Sequence, residues 1–344
     1  MKISLNIFCL LLIFSVCFFS CKREIYIDTP GNLVPKTVYQ DASLPAISIN
    51  GALLHSEAFG PVDSTLIVCI HGGPGGNYWY MLNCKTLAVK GYRVVFYDQR
   101  GAGLSQRFPR SWYLSQGNNA MDKIFYDELK MVIAYYKISA RQKVVLLGQS
   151  WGAMLATAYA GKYPNEINGL IVAEPGGLKW DDVEAYISNS RSFKIWSEAL
   201  NDATYIDQFI TGFKDQHEIL DYKAGLIGSI NTIVGDTGVD LGNNAPLHVA
   251  SRSGAVANAV SFELGQAIRP DFSAGLDRFL AKTLFIYSSN NKAYSDSWAT
   301  KISAGYVNKE IFKAQGVGHS GMLDQVSYWT TTMEPKIISF LKSL

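Results

Sequence analysis

Charge is scarce in this chain of 344 residues: Asp, Glu, Lys and Arg make up 17% and leave a net +2. No basic cluster interrupts that balance, which excludes an electrostatic footprint for nucleic acid. Histidine is rarer still, at five residues, and no C-x-x-C or His/Cys cluster is present. Neither a metal nor a cofactor is therefore expected. The five cysteines also reduce quickly. Cys9 and Cys17 lie in the N-terminal apolar run and Cys21 directly after it. Cys69 and Cys84 read as buried free thiols, although an envelope compartment would permit a bond between them. What the chain has in quantity is apolar surface, 48% of residues, enough for one large core or two.

The N-terminus stands apart from that core. Lys2 precedes an apolar run from Ile3 to Phe19, and Ser20-Cys21 closes it. A basic start, an apolar middle and a small residue before the cut describe a signal peptide over 1–20. The cysteine that follows resembles the lipobox of bacterial lipoproteins, which implies cleavage before Cys21 and lipid on its sulfur. The expected location is the cell envelope, anchored to a membrane at its periplasmic or surface face. Residues 21–45, polar with Pro30, Gly31, Pro35 and Pro45, read as the tether.

Beyond the tether, short apolar runs alternate with helical spacing. Ala46–Ile49 and Leu53–Phe59 flank Asn50-Gly51, a hairpin signal. Strands are expected at 65–70, 92–97, 170–173, 283–287 and 310–313, and in the apolar run from Val144 that ends in Gly148-Gln149-Ser150. Helices are expected through Leu87, over 119–137, after Ser150, over 297–305 and over 328–344. Between Leu178 and Arg278 the pattern is helical and aromatic, with a strand signal only near Ile230–Val234. Alternation on both sides of such an insert predicts a mostly parallel sheet, helices on both faces, and a lid. The domains are then 46–177 with 279–344 as the body, and 178–278 as a helical lid.

Each glycine-rich motif falls at the carboxyl end of an expected strand, where open α/β sheets bind ligands. Gly148-Gln149-Ser150-Trp151-Gly152 fits G-x-S-x-G, the strand–turn–helix that holds a serine at the apex of a strained turn. The helix after it aims its N-terminus at any oxyanion formed there. His71-Gly72-Gly73-Pro74-Gly75 follows the 65–70 strand, Asp98-Gln99-Arg100-Gly101-Ala102-Gly103-Leu104-Ser105 the next, and Gly318-His319-Ser320 the last.

Taken in order, these motifs resemble the proline iminopeptidase family of α/β-hydrolases over roughly 46–177 and 279–344. The resemblance implies an α/β-hydrolase fold and removal of N-terminal residues, proline among them, from short peptides through an acyl-enzyme. Ser150 is then the nucleophile, which needs a base to become reactive, and His319 is the base. The oxyanion hole is expected from the N–H groups of Gly73 and Trp151. His71 is expected to structure its loop, and Asp98 to brace it by pairing with Arg100.

The third triad member is where the chain departs from the family. The family's aspartate would fall at Asn291, which carries no charge to stabilise an imidazolium. Glu174, at the end of the strand after the elbow, is the favoured replacement, with Asn291 and Asp296 as alternatives. Relatives that attack with aspartate, the epoxide hydrolases and dehalogenases, are disfavoured because a serine stands at 150. A short peptide, amide or ester is the expected substrate, and a carboxylesterase or amide hydrolase is the second reading. A binding lipoprotein that has lost catalysis is the third, motivated by Asn291.

The insert holds fourteen acidic and eight basic residues, a net of −6. An acidic lid over a serine favours a substrate with a cationic amine. Carboxylates of the lid bind the α-amino group in the family, and Glu198, Glu218 and Glu263 are the candidates. Trp180, Tyr186, Phe193, Trp196, Tyr205, Phe209 and Phe213 are available to line an apolar pocket.

Overall fold

The computed structural model describes residues 33–190, 216–228 and 252–344 together with Gly31. The segment expected to be a signal peptide, Cys21, Glu198, the strand signal near 230–234 and the aromatics from Phe193 to Phe213 lie outside the described residues. Within the stretch read as a tether, Val34, Thr37 and Val38 are buried, and the Val38 N–H donates to the Leu104 carbonyl at 2.8 Å. The packed body therefore begins earlier than Ala46.

Eight strands form one sheet: β1 (Ala46–Ile49), β2 (Ala52–Phe59), β3 (Leu66–Ile70), β4 (Arg93–Tyr97), β5 (Val144–Gln149), β6 (Gly169–Ala173), β7 (Lys282–Ser288) and β8 (Lys309–Ala314). Their spatial order is β1-β2-β4-β3-β5-β6-β7-β8. β1, β2 and β4 pair antiparallel in succession, and β4 through β8 are parallel. Asn50 and Gly51 both take positive φ, 48° and 74°, as a tight two-residue hairpin turn requires.

The parallel strands are apolar on both sides because both faces are covered. Leu66, Val68 and Ile70 of β3 with Val144 and Leu146 of β5 face one cluster, and Ile67, Cys69, Val145 and Leu147 face the other. The longer helices are α1 (Asp127–Tyr136), α2 (Trp151–Lys162), α3 (Trp180–Ser190), α4 (His217–Gly228), α5 (Ala255–Ile268), α6 (Asp296–Ser303) and α7 (Glu334–Lys342). α2 is buried from Trp151 to Gly161, which explains its alanine-rich, non-amphipathic sequence: it needs small residues all round to lie against the sheet. The 119–137 helix is less regular than its spacing predicts, with a π-helical turn over Met121–Tyr126 before α1. Cys69 and Cys84 are buried free thiols with no disulfide between them.

Helices α3, α4 and α5 all fall between β6 and β7 and cover the carboxyl edge of the sheet. Asp221 of α4 is the ionic centre that fastens α4 and the start of α5 to the segment after β4. Its carboxylate, fully buried, accepts from Arg252 Nε at 2.7 Å, Arg107 Nε at 3.0 Å and the Ala255 N–H at 2.9 Å. Arg252 continues to the Pro35 carbonyl, and Arg107 to the carbonyls of Ala102, Gly103 and Ser105. A buried carboxylate between two guanidinium groups compensates its own desolvation only through such complete pairing.

Candidate active site

Register places the chemistry at one level of the sheet. Ile70 pairs with Gly148, and Gln149 with Ala173. The next backbone donors continue the ladder: Ser150 N–H to Ala173 O at 2.8 Å and Glu174 N–H to Ile286 O at 2.9 Å. Ser150 and Glu174 thus lead off adjacent strands, side by side. Both hold positive φ, 55° and 46°, a conformation costly for any residue with a Cβ and kept where surrounding structure enforces it.

The two glycines around Ser150 are steric necessities. A Cβ on Gly148 would come within 2.3 Å of the Gly152 carbonyl oxygen, and one on Gly152 within 1.9 Å of the Ile70 carbonyl oxygen. Only glycine lets helix α2 start this close to β3 and β5, and that proximity brings its N-terminus to Ser150. The Trp151 N–H belongs to the first turn, where amides have no intrahelical acceptor. Gly73, on the loop after β3, lines the same cavity as Trp151. Ser150, Trp151, Gly73 and His319 all line one cavity of about 730 Å³.

His71 holds that loop from beneath. It is fully buried, with Nδ1 2.7 Å from the Gly72 carbonyl and Nε2 accepting the Gln99 N–H at 3.0 Å. An N–H facing Nε2 fixes the neutral ring with its proton on Nδ1. Burial lowers the His71 pKa below the usual histidine value, and the nearby Asp98 charge only partly opposes this. Gln99 also receives the Trp151 indole N–H at 3.0 Å, tying the loop to the elbow.

The expected Asp98–Arg100 pair does not form. Asp98 sits 2.9 Å from His55 Nδ1 and also accepts the N–H groups of Tyr78 and Leu104. Arg100 turns to the opposite side of its loop, where Nε and the backbone N–H reach the buried Glu128 carboxylate at 3.1 and 3.0 Å. Burial pushes the Glu128 pKa up to about 7 despite Arg100. Asp98 and Arg100 stand two residues apart where the chain leaves β4 and turns, and each finds a partner from a different element.

Glu174 is wholly buried and its two oxygens meet four donors. Oε1 accepts the Ser288 N–H and hydroxyl, both at 2.6 Å. Oε2 lies 2.8 Å from Asn291 Nδ2 and 2.5 Å from His319 Nδ1. With Nδ1 on the carboxylate, Nε2 is the nitrogen of the His319 ring that would carry proton transfer. Asn291 is buried beside this pair. Asp296 opens helix α6 and its carboxylate goes to Lys313 Nζ at 2.6 Å on the surface, away from His319.

The carboxylates named for the amine site fare differently from one another. Glu218 accepts from Gln40 Nε2 at 2.8 Å. Glu263 takes Arg110 at 2.6 Å on the exposed side of α5, because the turns that reach the cavity carry Asn258, Phe262 and Gln266. Among the described residues the lining carboxylate is Glu184 on α3, which the sequence reading passed over. Its neighbours are the Trp180 indole N–H at 3.0 Å and Arg269 at 3.3 Å. The missed signal was helical spacing: Trp180, Val183, Glu184 and Ile187 share one face of α3. Met154, Trp180, Val183, Ile187 and Phe262 supply the apolar wall. Asn258 Nδ2 donates to the Pro74 carbonyl at 2.5 Å, joining α5 to the glycine loop.

A profile of the α/β hydrolase fold matches residues 65–324. A proline iminopeptidase of Thermoplasma volcanium is 36% identical over 117 residues, which cover 33% of this chain and 34% of that protein. The chain thus spans about a third of that relative's length. Two solved structures share the fold across most of both chains. A haloalkane dehalogenase variant from Bradyrhizobium elkanii superposes with a TM-score of 0.59 at 17% identity, covering 87% of this chain and 97% of that one. A proline iminopeptidase from Mycobacterium smegmatis gives 0.51 at 18%, covering 86% and 98%.

Proposed function

The chain belongs to the α/β hydrolase fold family, and on that premise we propose that it is a serine hydrolase that removes N-terminal residues, proline or similar, from short peptides. The observation that carries this reading is the His319 Nδ1–Glu174 Oε2 contact of 2.5 Å at the rim of the cavity that Ser150 lines. In the proposed reaction His319 takes the Ser150 hydroxyl proton as Oγ attacks the acyl carbon. Glu174 orients the ring and balances the imidazolium. The N–H groups of Trp151 and Gly73 take the developing oxyanion. His319 then protonates the leaving amine, and water attacking the acyl-enzyme returns the proton through the same ring. Residues 178–278 act as the lid, and Glu184 meets the substrate ammonium.

The apolar wall, and the prior engagement of Glu184 by Trp180 and Arg269, favour a second reading, a carboxylesterase or amide hydrolase using the same three residues. Purified protein assayed on prolyl and alanyl amides, an N-blocked prolyl amide and a short acyl ester separates the two. Preference for free over blocked amines supports the aminopeptidase. Equal cleavage of blocked and free amides overturns it in favour of the second reading. The apolar N-terminal run and Cys21 support a lipid anchor that would hold the enzyme on a membrane of the cell envelope.

A further inference from the structure

Asn291 occupies the position where the resemblance puts the acid, and its surroundings define what an amide does there. The Ala293 N–H points at Oδ1 from 3.1 Å. A backbone N–H only donates, so the amide is oriented without ambiguity: oxygen to Ala293, nitrogen to the cluster. Nδ2 carries two hydrogens and has two acceptors, Glu174 Oε2 at 2.8 Å and the Tyr186 hydroxyl at 3.1 Å. Asn291 is 2% exposed and Glu174 not at all.

An aspartate in this place would set a second carboxylate oxygen against Glu174 Oε2 at hydrogen-bond distance. Two carboxylates in contact do not both ionise readily. A glutamate at the end of β6 and an asparagine after β7 are therefore a matched pair, and a carboxylate at either place requires a donor at the other. Tyr186, whose ring centroid is 6.2 Å from that of His319, extends the pair into the cavity wall through α3.

We propose that Asn291 is a positioning residue of this site, holding Glu174 Oε2 on His319 Nδ1 and linking that carboxylate to Tyr186 of the covering helix. This rests on the reading of Glu174 as the triad acid. With the amide removed, Oε2 loses one of its two donors and the carboxylate is free to rotate away from the ring. With a carboxylate in its place, that group and Glu174 compete to ionise, and whatever negative charge the pair gains beside the His319 imidazolium raises the pH at which the ring gives up its proton.

The test measures kcat, KM and the pH profile for Asn291→Ala and Asn291→Asp on whichever substrate the wild type turns over best, with Glu174→Gln run alongside. Thermal melting and phosphonate titration count the folded, competent fraction of each. Asn291→Ala is expected to lower kcat roughly 10-fold or more, the loss of one hydrogen bond to a charged group, with KM within about twofold. Asn291→Asp is expected to move the rising limb of kcat/KM to higher pH. Wild-type kcat and an unmoved limb in both variants, with Glu174→Gln inactive, overturn the role of Asn291 alone. Normal turnover by Glu174→Gln overturns the acid assignment and this inference with it.

Discussion

His319 Nδ1 and Glu174 Oε2 stand 2.5 Å apart although their residues lie 145 positions apart in sequence. The contact joins the loop after β8 to the end of β6, across the intervening β7. It assigns the carboxylate that faces the histidine to a strand one place nearer the serine than the family pattern implies. Replacing Glu174 by glutamine keeps the shape and removes the charge. The expected result is a kcat lower by about 10³-fold or more, as for loss of the acid in other serine triads, with KM nearly unchanged. Steady-state kinetics on an activated ester check it.

Glu184 separates the two functional readings. If it meets a substrate ammonium, Glu184→Gln raises KM for a free-amine prolyl amide by about 10-fold and leaves turnover of a neutral acyl ester within about twofold. Equal effects on both substrates would remove Glu184 from amine recognition. Arg269→Ala, which releases Glu184 from its 3.3 Å neighbour, is expected to lower that same KM.

Gly152 tests the elbow as packing rather than chemistry. Gly152→Ala places a methyl 1.9 Å from the Ile70 carbonyl oxygen, and backbone on both sides must move. A destabilisation of about 1–3 kcal/mol is expected, read as a melting temperature lower by a few degrees, with loss of phosphonate labelling.

His71 gives stability a pH dependence of fixed sign. Its folded pKa is lowered, chiefly by burial, and the unfolded ring takes its proton near pH 6.5. The unfolded state therefore binds more protons just below that value, so stability is full above about pH 6.5 and falls as pH drops through and below it. Urea midpoints at pH 7.5 and 5.5, each set against those of His71→Asn, should show this decline over the opposite trend from Glu128, whose pKa of about 7 adds stability as pH falls. His71→Asn, though less stable throughout, should show a smaller one.

The N-terminal reading has its own readout. Protein from the membrane fraction of a bacterial host is expected to begin at Cys21 and to carry a diacylglycerol mass there. Cys21→Ala should leave that fraction. A mature N-terminus elsewhere without lipid contradicts the anchor.

The body of this fold was legible because its motifs are local. Gly148–Gly152, His71–Gly76 and Gly318-His319 announce strand ends, and the order of strands brings those ends to one edge. Glu174 was reachable by the same logic, since it leads off the strand beside the elbow. What escaped were pairings that depend on the tertiary placement of remote elements. Asp98 with His55, Arg100 with Glu128, and Asp221 between Arg107 and Arg252 each join segments whose sequences carry no sign of one another. Glu184 was overlooked because net charge points to a region, whereas helical phase decides which carboxylate in it faces the cavity.

The most direct test of Ser150, His319 and Glu174 as one working unit is labelling by a serine-directed fluorophosphonate, read by intact mass and peptide mapping. The assignment predicts one adduct, on Ser150, formed quickly in the wild type and at least about 10³-fold more slowly in His319→Ala. A folded wild type that takes no label, or a label on Ser150 that forms as fast without His319, would contradict it.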